Sequence, residues 1–276
     1  MRSLVPAVVL LLGAPGIAGA AVTPGDYGGG SFAGSKLMPT WMWARVAPDG
    51  AARVGGRTQL ACGLASFDAE VAPAADGTFR FTRTRVTREA GHVVRARVTV
   101  AGRFDGGLAT GTVTARVRDH TPRGTVQRCS TRGRAWKLHL RPTAGAPAAP
   151  QPGGAYLGLT SQAVGPPKPF VLHVRPKGTR VGIAIFDYVR VCRKAAIPIT
   201  NVTPGGPIRA DGTFGLRERF RVRSRGGVRE RFRIRIDGQF TAGGVAGALR
   251  VSTVVRRRGR TIDRCDTRPL TFSALL

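Results

Sequence analysis

The sequence predicts an all-β protein made of two tandem antiparallel domains. Each is sandwich-like, with a small up-and-down barrel as the alternative, and each holds one disulfide. Three observations predict this. The chain repeats itself along nearly its whole length, its apolar residues alternate with arginines, and its four cysteines fall two to a copy. Internal repetition marks a duplicated structural unit. A period of two puts one set of side chains on each face of a strand.

Residues 1–20 read as a signal peptide. Arg2 supplies the positive start, Leu4 to Leu12 an apolar run broken by Pro6, and Ala18-Gly19-Ala20 a small-residue cleavage site. That run is too short to span a bilayer, and no later segment is long and apolar enough to do so. The expectation is a secreted or cell-surface-associated protein with no transmembrane segment once the signal is removed. There is no cysteine at the cleavage site and no arginine pair before the apolar run.

The first copy spans residues 21–142 and the second 154–276, with a Pro/Ala/Gly-rich linker at 143–153. Each copy opens on G-x-Y-x-G-x-[ST], at Gly25 to Ser31 and at Gly154 to Thr160. Ala75-Asp76-Gly77-Thr78-Phe79 recurs as Ala210-Asp211-Gly212-Thr213-Phe214. Gly102-Arg103-Phe104 recurs as Gly238-Gln239-Phe240, and Gly107 and Gly111 match Gly243 and Gly247. The strongest match is Thr125 to Arg132 with Thr261 to Arg268, after which Trp136 aligns with Phe272.

Alternation supplies the strands. Val94, Ala96, Val98 and Val100 alternate with Arg95, Arg97 and Thr99. Phe220 and Val222 alternate with Arg219, Arg221 and Arg223, and Phe232, Ile234 and Ile236 with Arg231, Arg233 and Arg235. Gly226-Gly227 between the last two runs signals a hairpin. Asp-Gly pairs at Asp49, Asp76 and Asp211 mark further turns. Short strands between frequent turns suit a sandwich or a barrel.

Cys62, Cys129, Cys192 and Cys265 allow three pairings. The repeat favours one equivalent pair per copy, Cys62–Cys129 and Cys192–Cys265. Each bond would close a loop of about seventy residues and stabilise by roughly 4 kcal/mol in the chain-entropy model.

These motifs resemble a tandem-repeat β-domain of uncharacterised secreted proteins of high-GC Gram-positive bacteria. The pattern runs from Gly154 through Gln162, with Cys192, then Ile197-Pro198-Ile199 before Asp211 to Phe214. It continues through Gly238 to Gly247 and ends at Cys265-Asp266-Thr267. Arg268 stands where such repeats carry glycine. The first copy diverges further, with Trp41-Met42-Trp43 early and Ser130 in place of the Asp. The resemblance implies a secreted β-rich domain and assigns no activity, cofactor or catalytic residue.

Chemistry-bearing motifs are missing from the sequence: H-E-x-x-H, G-x-S-x-G and the P-loop lysine pattern are all absent. No metal, cofactor or catalytic residue is therefore expected, and His139, in the alternating run Trp136 to Leu140, is expected to face solvent. Paired carboxylates for a glycan-acting hydrolase would have to come from Asp26, Asp68, Glu70, Asp119 or Asp187. Asp187 is the most unusual, interrupting the apolar stretch Val181 to Val191; a bulge or an arginine partner is the plainer reading.

Charge is the remaining signal. The chain carries a formal net charge of +29. Residues 21–150 hold 19 basic and 8 acidic side chains, and residues 151–276 hold 24 and 7. A GC-rich genome explains arginine over lysine but not the scarcity of Asp and Glu. Alternation places Arg219, Arg221, Arg223, Arg231, Arg233 and Arg235 on one surface, with Glu218 and Glu230 expected to neutralise it in part. Guanidinium forks suit phosphate and carboxylate. The expected partner is an anionic polysaccharide, a wall polymer or lipid headgroups. Nucleic acid fits less well, since alternation puts no stacking aromatic on the arginine face. Competing readings are a structural or protein-interaction module of the cell exterior and, last, a hydrolase. Nothing in the sequence fixes the oligomeric state.

Overall fold

A computed structural model describes residues 22–31, 40–89, 91–122, 124–141, 146–193 and 195–276. The expected signal peptide, 1–20, lies outside the described residues, as do 143–145 of the expected linker. The strands of the first half are β1 (Gly25–Ser31), β2 (Thr40–Val46), β3 (Ala52–Leu60), β4 (Gly63–Val71), β5 (Thr78–Glu89), β6 (His92–Asp105), β7 (Leu108–Thr121), β8 (Gly124–Ser130) and β9 (Arg134–Leu140). Those of the second half are β10 (Ala155–Thr160), β11 (Pro169–Val174), β12 (Val181–Val191), β13 (Ala196–Pro204), β14 (Thr213–Ser224), β15 (Val228–Thr241), β16 (Gly244–Arg257), β17 (Arg260–Asp266) and β18 (Leu270–Leu275). Among the described residues no helix is long and apolar enough to cross a membrane.

Each half is one nine-stranded antiparallel sheet, and the two share one topology. The first runs β4-β3-β2-β1-β9-β7-β6-β5 with β8 on β7. The second runs β13-β12-β11-β10-β18-β16-β15-β14 with β17 on β16 and β12. The second sheet comes close to a barrel: the path β12-β11-β10-β18-β16-β17 returns to β12 through Val191 opposite Asp266. The disulfides are Cys62–Cys129 and Cys192–Cys265, one per half. Both tie the end of the third strand of a copy to its eighth.

The repeated motifs converge on one aromatic cluster per copy. In the first, Tyr27 packs edge-on to Phe104 at 5.4 Å, Phe104 on Phe79 at 5.1 Å, and Phe79 near Trp136 at 6.1 Å. In the second, Tyr156, Phe240 and Phe214 repeat this at 5.1 and 5.4 Å. The matched glycines make room for the last ring. A Cβ on Gly102 or Gly111 would fall 2.4 or 2.5 Å from Trp136, and one on Gly238 or Gly247 3.0 or 2.7 Å from Phe272.

The turn motifs serve the same cluster. Asp76 accepts hydrogen bonds from the Thr78 N–H and hydroxyl at 3.0 and 2.7 Å, and Asp211 from those of Thr213 at 2.9 and 2.7 Å. Between them Gly77 and Gly212 adopt φ of 81° and 79°, a region that favours glycine. Their carbonyls accept from the N–H of Phe104 and Phe240. The Tyr27 hydroxyl lies 2.7 Å from the carbonyls of Thr23 and Gly106, and the Tyr156 hydroxyl accepts from the Gln151 N–H at 2.8 Å, so each tyrosine pins the chain entering its copy.

The threonine after each second cysteine docks on the seventh strand. Thr131 exchanges two 2.8 Å bonds with Ala115, and Thr267 two 3.0 Å bonds with Val251. Asp266 caps the following turn by accepting from the Arg268 N–H. Arg268 takes φ of 56°, in the left-handed region that favours glycine.

The halves meet through the outer sides of β1, β2 and β9 and of β10 and β11. A Cβ on Gly28 would lie 2.3 Å from the Gly158 carbonyl oxygen, so only glycine permits this approach. Trp41, Leu157, Val171 and Ile185 form a separate small apolar cluster there, and Arg141 donates to the Thr160 carbonyl at 2.6 Å. His139 is half-buried beside the backbone of Leu276, and burial lowers its pKa, correcting the expectation that it faces solvent.

Candidate functional site

All six arginines singled out by alternation lie on the outer face of the β14–β15 hairpin. Pairing sets Arg217 opposite Arg235, Arg219 opposite Arg233, Arg221 opposite Arg231, and Arg223 opposite Arg229. The face continues sideways. Arg235 stands opposite Arg250 and Arg229 opposite Arg256 on β16, while Val254 brings Arg264 of β17 into the row of Arg231. Arg229, Arg250, Arg256 and Arg264 were not assigned to this face from the sequence. Arg229 continues the same alternation, and Arg264 is the repeat partner of Arg128; Arg250 and Arg256 depend on the register of β16. A concavity of about 540 Å³ is lined by Arg221, Arg229, Arg231, Arg233, Arg256 and Arg264 among others.

Acids balance only one end of this face. Asp237 bridges Arg217 and Arg235 at 2.7 and 2.6 Å, and Asp266 pairs with Arg250 at 2.8 Å. Burial pushes the Asp237 carboxyl up, but bonds from Arg235 and Arg217 outweigh it and hold the group below its usual range. Among the described residues no ion pair or hydrogen bond engages Arg219, Arg221, Arg223, Arg231 or Arg233. Facing side chains on paired strands have Cβ atoms about 5 Å apart, and like charges there destabilise. Arg235 belongs to the balanced end and the other five form the open one.

Glu218 and Glu230 do not neutralise the face. Even-numbered residues of β14 and β15 point inward with Phe220 and Phe232, whose rings stack at 4.6 Å. Glu230 forms a two-pronged ion pair with buried Arg190, at 2.9 and 3.2 Å. Arg190 also lies 5.4 Å from the centre of the Phe232 ring. By the repeat register these two positions match Leu60 and Val94, so the second copy replaces an apolar pair with an ionic one. Above it, the Tyr188 hydroxyl donates to Asn201 at 3.1 Å, and burial raises the Tyr188 pKa.

The candidate carboxylates are dispersed and engaged. Asp26 pairs with Arg45 and Asp68 with Arg53, each at 2.8 Å, and Asp119 lies 3.1 Å from His92. Glu70 is opposite Arg53. Asp187 faces the junction of the halves, where it accepts a hydrogen bond from Thr200, which in turn accepts one from Arg57 of the first half. Desolvation raises its pKa; Thr200, Arg57 and Lys168 oppose the rise without cancelling it. Lys168 is itself buried, with its ammonium against the carbonyls of Val164 and Pro166, and desolvation lowers its pKa. Cys192, Cys265 and Asp263 lie close together, but both sulfurs are committed to the disulfide.

No protein-family model, curated protein or solved structure matches the chain.

Proposed function

We propose that this is a secreted, non-catalytic protein that binds anionic polymers of the cell envelope or its surroundings through the arginine face of β14–β17. Residues 21–142 and 154–276 are its two domains, joined by 143–153 after a signal peptide is removed. One observation carries the reading: five arginines stand together, in facing pairs or beside them, and among the described residues no acid forms an ion pair with any of them. Each facing pair costs a few tenths to about 1 kcal/mol. That is appreciable against the ~5–15 kcal/mol that holds a typical domain folded. A bound anion offsets the cost and accepts the guanidinium forks in pairs. The disulfides suit an oxidising exterior. Phe220 and Phe232, the aromatics next to these arginines in the hairpin, point inward and offer no stacking platform, which favours a polysaccharide, wall polymer or headgroup surface over a nucleic acid.

The test is affinity for long-chain polyphosphate, polygalacturonate, single-stranded DNA and vesicles containing phosphatidylglycerol at matched charge. Wild type is compared with R219Q/R221Q/R223Q/R231Q/R233Q. The reading requires one non-nucleic partner to bind more tightly than the rest and the variant to lose it. Equal, weak binding of all four, unchanged in the variant, would instead support a structural module of the cell exterior.

A further inference from the structure

The first half carries its own basic face at the position equivalent to the second. On β6–β8, Arg95, Arg118 and Arg128 stand in one row, and Arg97 faces Arg116 in the next. The matching rows of the second half are Arg231, Val254 and Arg264, then Arg233, Ser252 and Asp266. All five arginines of the first face are exposed, and among the described residues none has an ion pair or hydrogen bond. The direct column Arg95–Arg118–Arg128 has no acid in it, whereas Asp266 interrupts the second face.

Topology sets these faces apart. The second sheet closes through the six strands β12, β11, β10, β18, β16 and β17. In that ring β16 lies across from β11, and β17 across from β10. The first sheet has the same order, with the Cys62–Cys129 bond bridging β3 to β8 where the second has both a disulfide and a strand contact. There β7 lies across from β2, and β8 across from β1. The halves touch through β1, β2, β9, β10 and β11, so the strands β7 and β8, and β16 and β17, that carry part of each basic face lie across their sheets from the contact.

We infer that the protein is a two-headed cross-linker, with its two arginine faces at opposite ends holding two anionic chains, or two stretches of one, apart. The partner is a linear polymer with closely spaced phosphate or carboxylate groups. Joining two modest sites on one rigid body raises avidity for a polymer well above either alone. The Gly28–Gly158 contact and the Trp41 cluster hold the ends at a fixed separation. This inference rests on the anion-binding reading above.

The experiment uses the full mature chain with polyphosphate. Binding of a short, fluorescently labelled polyphosphate is read by anisotropy, and network formation with long-chain polyphosphate by light scattering. Four proteins are compared: wild type, R95Q/R97Q/R118Q/R128Q, R219Q/R221Q/R231Q/R233Q, and a control losing four charges elsewhere, R175Q/K177Q/R180Q/R209Q. Wild type and control should scatter strongly near charge balance, with scattering lost again at excess protein. Each single-face variant should still bind the short chain but lose the scattering. Single-face variants that scatter as wild type does would overturn the cross-linking inference while leaving binding intact. Failure of wild type to bind the short chain would overturn the reading beneath it.

Discussion

Arg221 stands directly opposite Arg231 on the β14–β15 ladder, and the carboxylates found on that outer face among the described residues, Asp237 and Asp266, are engaged by Arg217, Arg235 and Arg250. An unbalanced pair in this register is a local cost of folding. Replacing both, in R221Q/R231Q, should therefore stabilise the free protein by roughly 0.2–1 kcal/mol in low salt. The gain should fade as ionic strength rises and screening shortens the reach of the repulsion. Thermal unfolding across a salt series checks this, and a variant less stable than wild type in low salt would contradict it.

The ion pair inside the second sheet gives a sharper mutational test. R190L strands Glu230 and should cost about 3–5 kcal/mol, and E230V should cost a similar amount by stranding Arg190. The double variant R190L/E230V installs the residues the first half already uses, Leu60 and Val94. It should recover most of the loss, because well-packed apolar side chains commonly replace a buried pair without penalty. Urea unfolding of the three variants measures the coupling. Losses that simply add would show that the two groups do not act as a pair.

Glycine spacing predicts a graded result. In G247A the new methyl would lie 2.1 Å from the Asp237 carbonyl oxygen and 2.7 Å from Phe272, whereas in G107A it meets only Leu140, at 3.6 Å. The first substitution should cost about 1–3 kcal/mol or more through overpacking. The second should be near neutral. Equal effects would mean that the aromatic ring does not dictate the spacing.

Asp187 should make stability fall as pH rises. Its folded pKa is raised above the ordinary 3.8, chiefly by desolvation at the junction of the halves. Between 3.8 and that raised value the folded state binds more protons than the unfolded state. This contribution to stability is therefore largest below 3.8 and declines through that window. D187N should remove this component of the pH dependence. The measurement is the difference in unfolding free energy between wild type and D187N across acid to neutral pH. An identical profile in both would refute the assignment.

Much of the fold could be read from spacing alone. Period-two alternation placed the six arginines on one surface, and the repeat paired Cys62 with Cys129 and Cys192 with Cys265 as found. The same alternation also bears on Glu218 and Glu230. They share parity with Phe220 and Phe232, so they turn inward, and charge alone misplaces them. The half-burial of His139, the close approach at Gly28 and the setting of Asp187 were not legible. Each depends on how one copy packs against the other, and a sequence period describes only the faces within a copy. The Arg190–Glu230 pair was not legible either, because the two residues lie 40 apart, on β12 and β15, and no period within a strand relates them.

The salt dependence of polymer binding tests the central claim most directly. Polyphosphate affinity would be measured for wild type and for R219Q/R221Q/R223Q/R231Q/R233Q as ionic strength is raised. Each charge contact should add roughly 0.7 to the steepness of log affinity against log salt, by analogy with single-stranded nucleic acids. If the arginine face is the binding surface, the variant should bind more weakly and show a clearly shallower slope. A variant with the slope and affinity of wild type would show that the polymer binds elsewhere.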